Sequence, residues 1–191
     1  FHAANQGGAH IGRTAVVFGA GCIGLMSMMA LKAEGVGRVY VVDVMDKRLE
    51  KARELGATVV INSKKENVLD RINALTDGRG VDLCIETSGQ EICTRQAVDI
   101  SRKGATIVFV GYPASGEETL PVSKILDKEL TFKSVFRYRH IYPMAIEAVA
   151  TGKVNVKGVV TNIFDFDDIQ NAMDRSVNDK ADIVKSVVKI S

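Results

Sequence analysis

The chain has 191 residues, 46% of them apolar and 6% aromatic, with no tryptophan and a formal net charge of +2. That length and apolar content can close one hydrophobic core, and a near-neutral balance offers no basic face to nucleic acid. No apolar run is long enough to cross a bilayer and no signal-like segment opens the chain, so neither nucleic acid nor membrane is expected as a partner and a soluble, cytoplasmic protein is expected.

The chain begins with Phe1 rather than Met, and residues 1–8 carry no strand or amphipathic-helix pattern. Residues 1–12 are therefore expected to be the remnant of a junction to a preceding domain, loose without it, with 1–191 forming one domain. β-branched runs at residues 15–19, 38–43, 58–61, 81–86, 105–111 and 130–136 predict six strands. Between them, helical spacing predicts a helix from Cys22 to about Glu34 that ends at Gly35, and one over 46–55 that stops at Gly56. Val68, Ile72 and Leu75 mark a further helix, and so do Cys93, Ala97 and Ile100. Residues 113–121, rich in Gly, Ser and Glu, form a loop. Helices are then expected near 143–151 and 167–177, with an extended run at 183–190. Strands alternating with helices across short joints imply an α/β fold: a Rossmann doubly wound parallel sheet of six strands with helices on both faces. Cys22, Cys84 and Cys93 are irregularly spaced and read as reduced, buried, small apolar residues.

The segment richest in chemistry runs Val16-Val17-Phe18-Gly19-Ala20-Gly21-Cys22-Ile23-Gly24, a strand entering a G-x-G-x-x-G turn and then a helix. Gly19 permits the tight turn, Gly21 lets a pyrophosphate approach the backbone, and Gly24 lets the helix press on the strand. The first amides of that helix point unpaired donors and a positive dipole end at the phosphates. The second strand ends in Asp43, nineteen positions after Gly24, where an acid that accepts from the adenosine ribose hydroxyls should fall. A 2′-phosphate there would meet like charge, which favours NAD over NADP. Arg48 pulls the other way by offering a cation to such a phosphate. A methyltransferase using S-adenosylmethionine shares a glycine-rich first loop and an acid after the second strand. Its loop usually runs G-x-G-x-G, whereas the third glycine here follows the second by three positions.

Together with that turn, Val42-Asp43, Leu55-Gly56-Ala57 and Val135-Phe136-Arg137-Tyr138 make the chain resemble the zinc-containing medium-chain alcohol dehydrogenases, and within them the polyol branch of sorbitol and xylitol dehydrogenases. The resemblance runs from about His2 to Ser191. It implies cofactor contacts at Gly19, Gly21, Cys22, Ile23 and Gly24 in the turn, and at Asp43 and Arg48 by the adenosine ribose. It further implies that the backbone of Val110, Gly111 and Tyr112 lies beside the nicotinamide, that Val135, Phe136 and Arg137 bond its carboxamide, and that Arg137 and Tyr138 reach the hydroxyls of a polyol. A guanidinium fork and a phenol supply directional donors suited to vicinal hydroxyls. Without the resemblance, 136–140 reads as a basic, solvated strand end, and His140 as a surface residue with no metal.

The zinc ligands and the four-cysteine structural lobe of that family are expected in an N-terminal catalytic domain that this chain lacks, leaving no catalytic residue in it. The function implied is the NAD-binding part of a zinc-dependent dehydrogenase moving hydride between a polyol or secondary alcohol and NAD, inactive by itself. A non-catalytic NAD(H)-sensing module and the methyltransferase are the alternatives. A homo-oligomer built through the sheet edge between Leu120 and Val135 is also expected.

Overall fold

A computed structural model describes residues 1–190. Six strands, β1 (Thr14–Phe18), β2 (Arg38–Asp43), β3 (Val59–Asn62), β4 (Val81–Glu86), β5 (Ser101–Phe109) and β6 (Thr131–Ser134), form one sheet in the order β3-β2-β1-β4-β5-β6. Every pair in it is parallel. The helices are α1 (His2–Gly7), α2 (Cys22–Ala33), α3 (Asp46–Glu54), α4 (Val68–Thr76), α5 (Glu91–Ile100), α6 (Val122–Lys128), α7 (Tyr142–Ala150) and α8 (Ile169–Asn178).

The central strands β1, β2 and β4 are largely apolar and buried because both faces are covered, whereas the edge strand β6 (Thr-Phe-Lys-Ser) is mostly exposed. Along β1, Ala15 and Val17 join one core cluster with Leu25, Met28 and Leu31 of α2. Val16 and Phe18 point the other way and meet Ile72 of α4 and Ala97 and Val98 of α5. Side chains alternate across a strand, so two separate cores grow on opposite sides of one sheet. The doubly wound architecture expected from the sequence is the one observed.

Several local expectations are corrected. The opening of the chain is not loose: His2–Gly7 is a helix in which Ala3 and Ala4 are buried. A Cβ on Gly7 would stand 2.5 Å from Leu83 Cδ1, so glycine lets α1 press directly on β4. Six residues are too few for helical periodicity to show, and such a short helix draws its stability from packing rather than propensity. Residues 122–128, expected only as part of an edge segment, form α6. β5 starts four residues earlier than expected because Ser101 pairs with Val81 before a register shift, and it stops at Phe109. β6 is shorter than the run 130–136. Of the cysteines only Cys84 is fully buried; Cys22 and Cys93 are half-buried, and all three are free.

The expected extended run near the end contains β8 (Ser186–Lys189), but its partner is β7 (Asn162–Asp165), a strand the sequence did not reveal. These two make a separate parallel pair, covered by α8 around a small cluster of Phe164, Ala172 and Ile183.

Candidate functional site

The site begins where β1 runs out. Gly19 has φ +95 and its amide donates to the Val42 carbonyl at 2.8 Å, a left-handed turn that suits glycine. A Cβ on Gly24 would overlap the Gly19 carbonyl oxygen, so α2 can lean on the turn only if that residue is glycine. Gly21 differs from both. Its φ is −73, open to any residue, and the sole atom within 4 Å of an added Cβ is Nη1 of Arg48, at 3.8 Å. The fold has no need of glycine at 21; the space in front of it is open. Gly21 caps α2 without a side-chain bond, which leaves the first-turn amides free of any side-chain acceptor.

Asp43 is turned onto this region. Its Oδ2 accepts the Ala20 amide at 2.7 Å, and its Oδ1 accepts the amides of Val44 at 2.7 Å and Met45 at 2.9 Å. An ionised carboxylate has about four lone-pair positions, so one remains on Oδ2. Arg48 of α3 lies over the turn with its Nε buried and without a hydrogen-bond partner. A buried donor left unmatched is costly, and an anionic or hydroxyl-bearing ligand over the turn would satisfy it. Open room at Gly21, uncapped amides and an orphaned guanidinium nitrogen fit a diphosphate with its neighbouring sugar.

On the other side of the turn lies a cleft of about 830 Å³. It brings together Ile23 of α2, Val110, Gly111 and Tyr112 beyond β5, and Val135, Phe136, Arg137 and Tyr138 beyond β6. These residues lie over a hundred positions apart, and the parallel sheet delivers them to one edge because its strands all end there. Asp43 and Arg48 do not line this cleft. The candidate site thus has two parts, the Asp43 and Arg48 side of the glycine turn and this cleft, and Ile23 of α2 belongs to both the turn and the cleft wall.

Residues 136–140 are not a strand end. β6 stops at Ser134, and the chain enters a turn in which Arg137 (φ +54) and His140 (φ +55) are left-handed. Side chains other than glycine rarely adopt that region, and such strain gathers at functional sites. The Arg137 guanidinium lies 5.3 Å from the centre of the Phe136 ring, and the Tyr138 and Tyr142 rings meet edge to face at 5.2 Å. The Arg137 carbonyl is 3.4 Å from Nδ1 of His2. His140 is exposed, in keeping with its reading as a surface residue.

Sequence reasoning missed part of the wall. Phe1 and His2, Met26 and Ser27 of α2, Ile141 just before α7 and Ala145 within it also line the cleft. Thr87 does too, and its hydroxyl donates to the Phe18 carbonyl at 2.7 Å, joining the ends of β4 and β1. Burial pushes the Cys84 thiol up to about 12 and also raises that of Cys93. Among the described residues no three His, Cys, Asp or Glu side chains gather as metal ligands.

A family model described as zinc-binding dehydrogenase matches residues 22–151. A zinc-type alcohol dehydrogenase-like protein of Escherichia coli (strain K12) is 43% identical over 190 residues, covering 100% of this chain and 54% of that protein. The sorbitol dehydrogenase of Bacillus subtilis (strain 168) is 36% identical, with 98% and 53% covered. A crystal structure of an alcohol dehydrogenase from E. coli CFT073, complexed with cofactor NADH, superposes with a TM-score of 0.90 at 28% identity, over 99% of this chain and 56% of that one. The chain therefore spans about half the length of the curated relatives it matches.

Proposed function

Because the chain belongs to the zinc-binding dehydrogenase family, with sorbitol dehydrogenases among its relatives, we propose that it is the NAD-binding domain of an enzyme that passes hydride between a polyol or other secondary alcohol and NAD. The observation that carries this reading is the arrangement around Gly21: room that the fold itself does not require, flanked by an unmatched Arg48 nitrogen and by Asp43.

In this reading the α2 amides and Arg48 hold the diphosphate, and the free position on Asp43 Oδ2 accepts from the adenosine ribose. Gly19, Cys22, Ile23 and Gly24 shape the turn beneath it. Val110, Gly111 and Tyr112 offer backbone beside the nicotinamide, and Val135, Phe136 and Arg137 orient its carboxamide. Arg137 and Tyr138 donate to substrate hydroxyls. When bound, the nicotinamide would supply the hydride acceptor for oxidation of the secondary alcohol to a ketone. The zinc ligands and most pocket walls are assigned to an N-terminal catalytic domain outside this chain, so the chain by itself would bind NAD and oxidise nothing at a useful rate.

Among the described residues the outer edge of β6 pairs with no strand, and a second copy laid along it would complete the ladder, which supports a homo-oligomer. Among the described residues no helix is long and apolar enough to cross a membrane, and a cytoplasmic location is part of the proposal. The family match does not favour the S-adenosylmethionine reading. Calorimetric titration of the chain with NAD, NADP and S-adenosylmethionine tests the assignment. Tightest binding of NAD is expected, and a chain that took up S-adenosylmethionine but no dinucleotide would overturn it. Steady NADH production from sorbitol and zinc by this polypeptide alone would refute the assigned inactivity.

A further inference from the structure

Glu86 ends β4 inside the protein, 1% exposed, and does not line the cleft. Its carboxylate accepts the Ser88 amide at 2.8 Å, the Ser88 hydroxyl, and the Gly89 amide at 3.2 and 3.1 Å through its two oxygens. Its own carbonyl accepts the amides of Val110 at 2.8 Å and Gly111 at 3.0 Å. One residue therefore fastens the loop after β4 to the loop after β5.

The two loops also interlock without side chains. A Cβ on Gly111 would lie 2.6 Å from Glu86 Oε2 and overlap the Gly89 amide, while a Cβ on Gly89 (φ +65) would overlap the Tyr112 carbonyl. No slack exists between them, so a shift of Gly89 passes directly to residues 110–112, which do line the cleft. A buried acid is an expensive way to fill space. No Lys or Arg forms an ion pair with Glu86 among the described residues; its acid partners are amides and a hydroxyl. An apolar side chain would pack there at lower cost, so the acid is explained by what it holds in place.

We propose that Glu86 is a positioning residue for the nicotinamide half of the cofactor: it locks the Val110–Gly111–Tyr112 backbone into the surface the ring packs against, without touching the ligand. This rests on the reading of the chain as an NAD-binding domain. Glu86→Gln keeps the shape but turns one acceptor into a donor facing an amide N–H, and Ser88→Ala removes the hydroxyl that the carboxylate accepts without altering the cleft lining.

The experiment is calorimetric titration of the wild-type chain and both variants with NAD and with ADP-ribose, which shares everything except the nicotinamide ring. Either variant should bind NAD about tenfold more weakly, the equivalent of one bond to a charged group, and ADP-ribose within about twofold of wild type. Parallel loss of both ligands would mean a general effect on the fold, and unchanged NAD affinity would mean an idle residue; each overturns the proposal. Should Glu86→Gln fail to fold, the NAD to ADP-ribose ratio of Ser88→Ala, a residue that bonds the carboxylate and does not line the cleft, decides. A wild-type chain that bound neither ligand would sink the cofactor reading itself, a result distinct from variants that leave NAD binding intact.

Discussion

Asp43 Oδ2 accepts the Ala20 amide at 2.7 Å, so the acid that closes β2 is tied to the turn that follows β1. Its other oxygen accepts the next two amides of its own loop. The carboxylate thus shapes the turn with three of its acceptor positions, and on the proposed reading the fourth serves the ribose. Structure and recognition are shared by a single side chain, and substitutions there must be read for both.

Asp43→Asn leaves only one oxygen for partners that now occupy two. The expected outcome is an NAD affinity lowered about tenfold, while NADP binding does not weaken because the like charge facing a 2′-phosphate is gone. Calorimetry with both dinucleotides measures the ratio. An unchanged NAD affinity would remove Asp43 from the site.

Gly21→Ala and Gly24→Ala separate a ligand's requirement from the fold's. At 21 the new methyl enters open space, so stability should fall by no more than about 1 kcal/mol, the ordinary difference between Gly and Ala at a helix N-cap. NAD binding should nevertheless fall at least about tenfold, since the methyl stands where the diphosphate approaches. At 24 the methyl collides with the Gly19 carbonyl, and a loss of several kcal/mol or failure to fold is expected. Denaturant unfolding with a parallel NAD titration checks the pair; normal NAD binding by Gly21→Ala would contradict the proposed phosphate site.

Arg137 holds φ +54 at the lip of the cleft. Replacing it with glycine relieves the left-handed strain, partly offset by a more flexible unfolded chain, so stability should stay level or rise by up to about 1 kcal/mol. In the complete enzyme the same change should raise the KM for sorbitol about tenfold through loss of a charged donor to the substrate. Unfolding curves and steady-state kinetics read the two effects, and a variant both less stable and kinetically normal would contradict the assigned role.

Asp82 carries the pH dependence. It is 5% exposed, accepts the Thr14 amide at 2.8 Å and pairs with Arg79 and Arg102. Burial opposes its charge, but Arg102, Thr14 and Arg79 together outweigh it and hold its carboxyl below the ordinary carboxylate value. Because the folded state gives up this proton more readily than the unfolded chain, the stabilisation is complete above about pH 4 and is lost as pH falls through the lower folded value. Asp82→Asn should cost about 1 to 2 kcal/mol at neutral pH by weakening the charge-assisted bonds to Arg79 and Arg102, which stay partly solvated. Denaturant curves between pH 2.5 and 7, values set about the ordinary carboxylate range, should show wild type and variant converging at the acid end. A gap that persisted there would assign the cost to packing instead.

What could be read without coordinates was whatever is local or periodic. The β1–turn–α2 unit is legible because its apolar run, glycine spacing and following helix are neighbours in the chain, and Asp43 follows from the length of the connection. The central strands show themselves because burial on both faces makes them largely apolar, and the outer ones through β-branched and aromatic residues between helical stretches. α1 and β7 stayed hidden, the first stabilised by Gly7 against Leu83 and the second by pairing with a strand more than twenty residues away. A signal for Glu86 did exist: Asp82 and Glu86 are the only acids in an otherwise apolar strand, and a buried acid needs partners. Which partners it has, and that they bind two loops into one surface, depends on distances across the sheet. Local sequence determines what each segment prefers; only tertiary packing decides which segments press on each other closely enough for a missing Cβ or a buried carboxylate to matter.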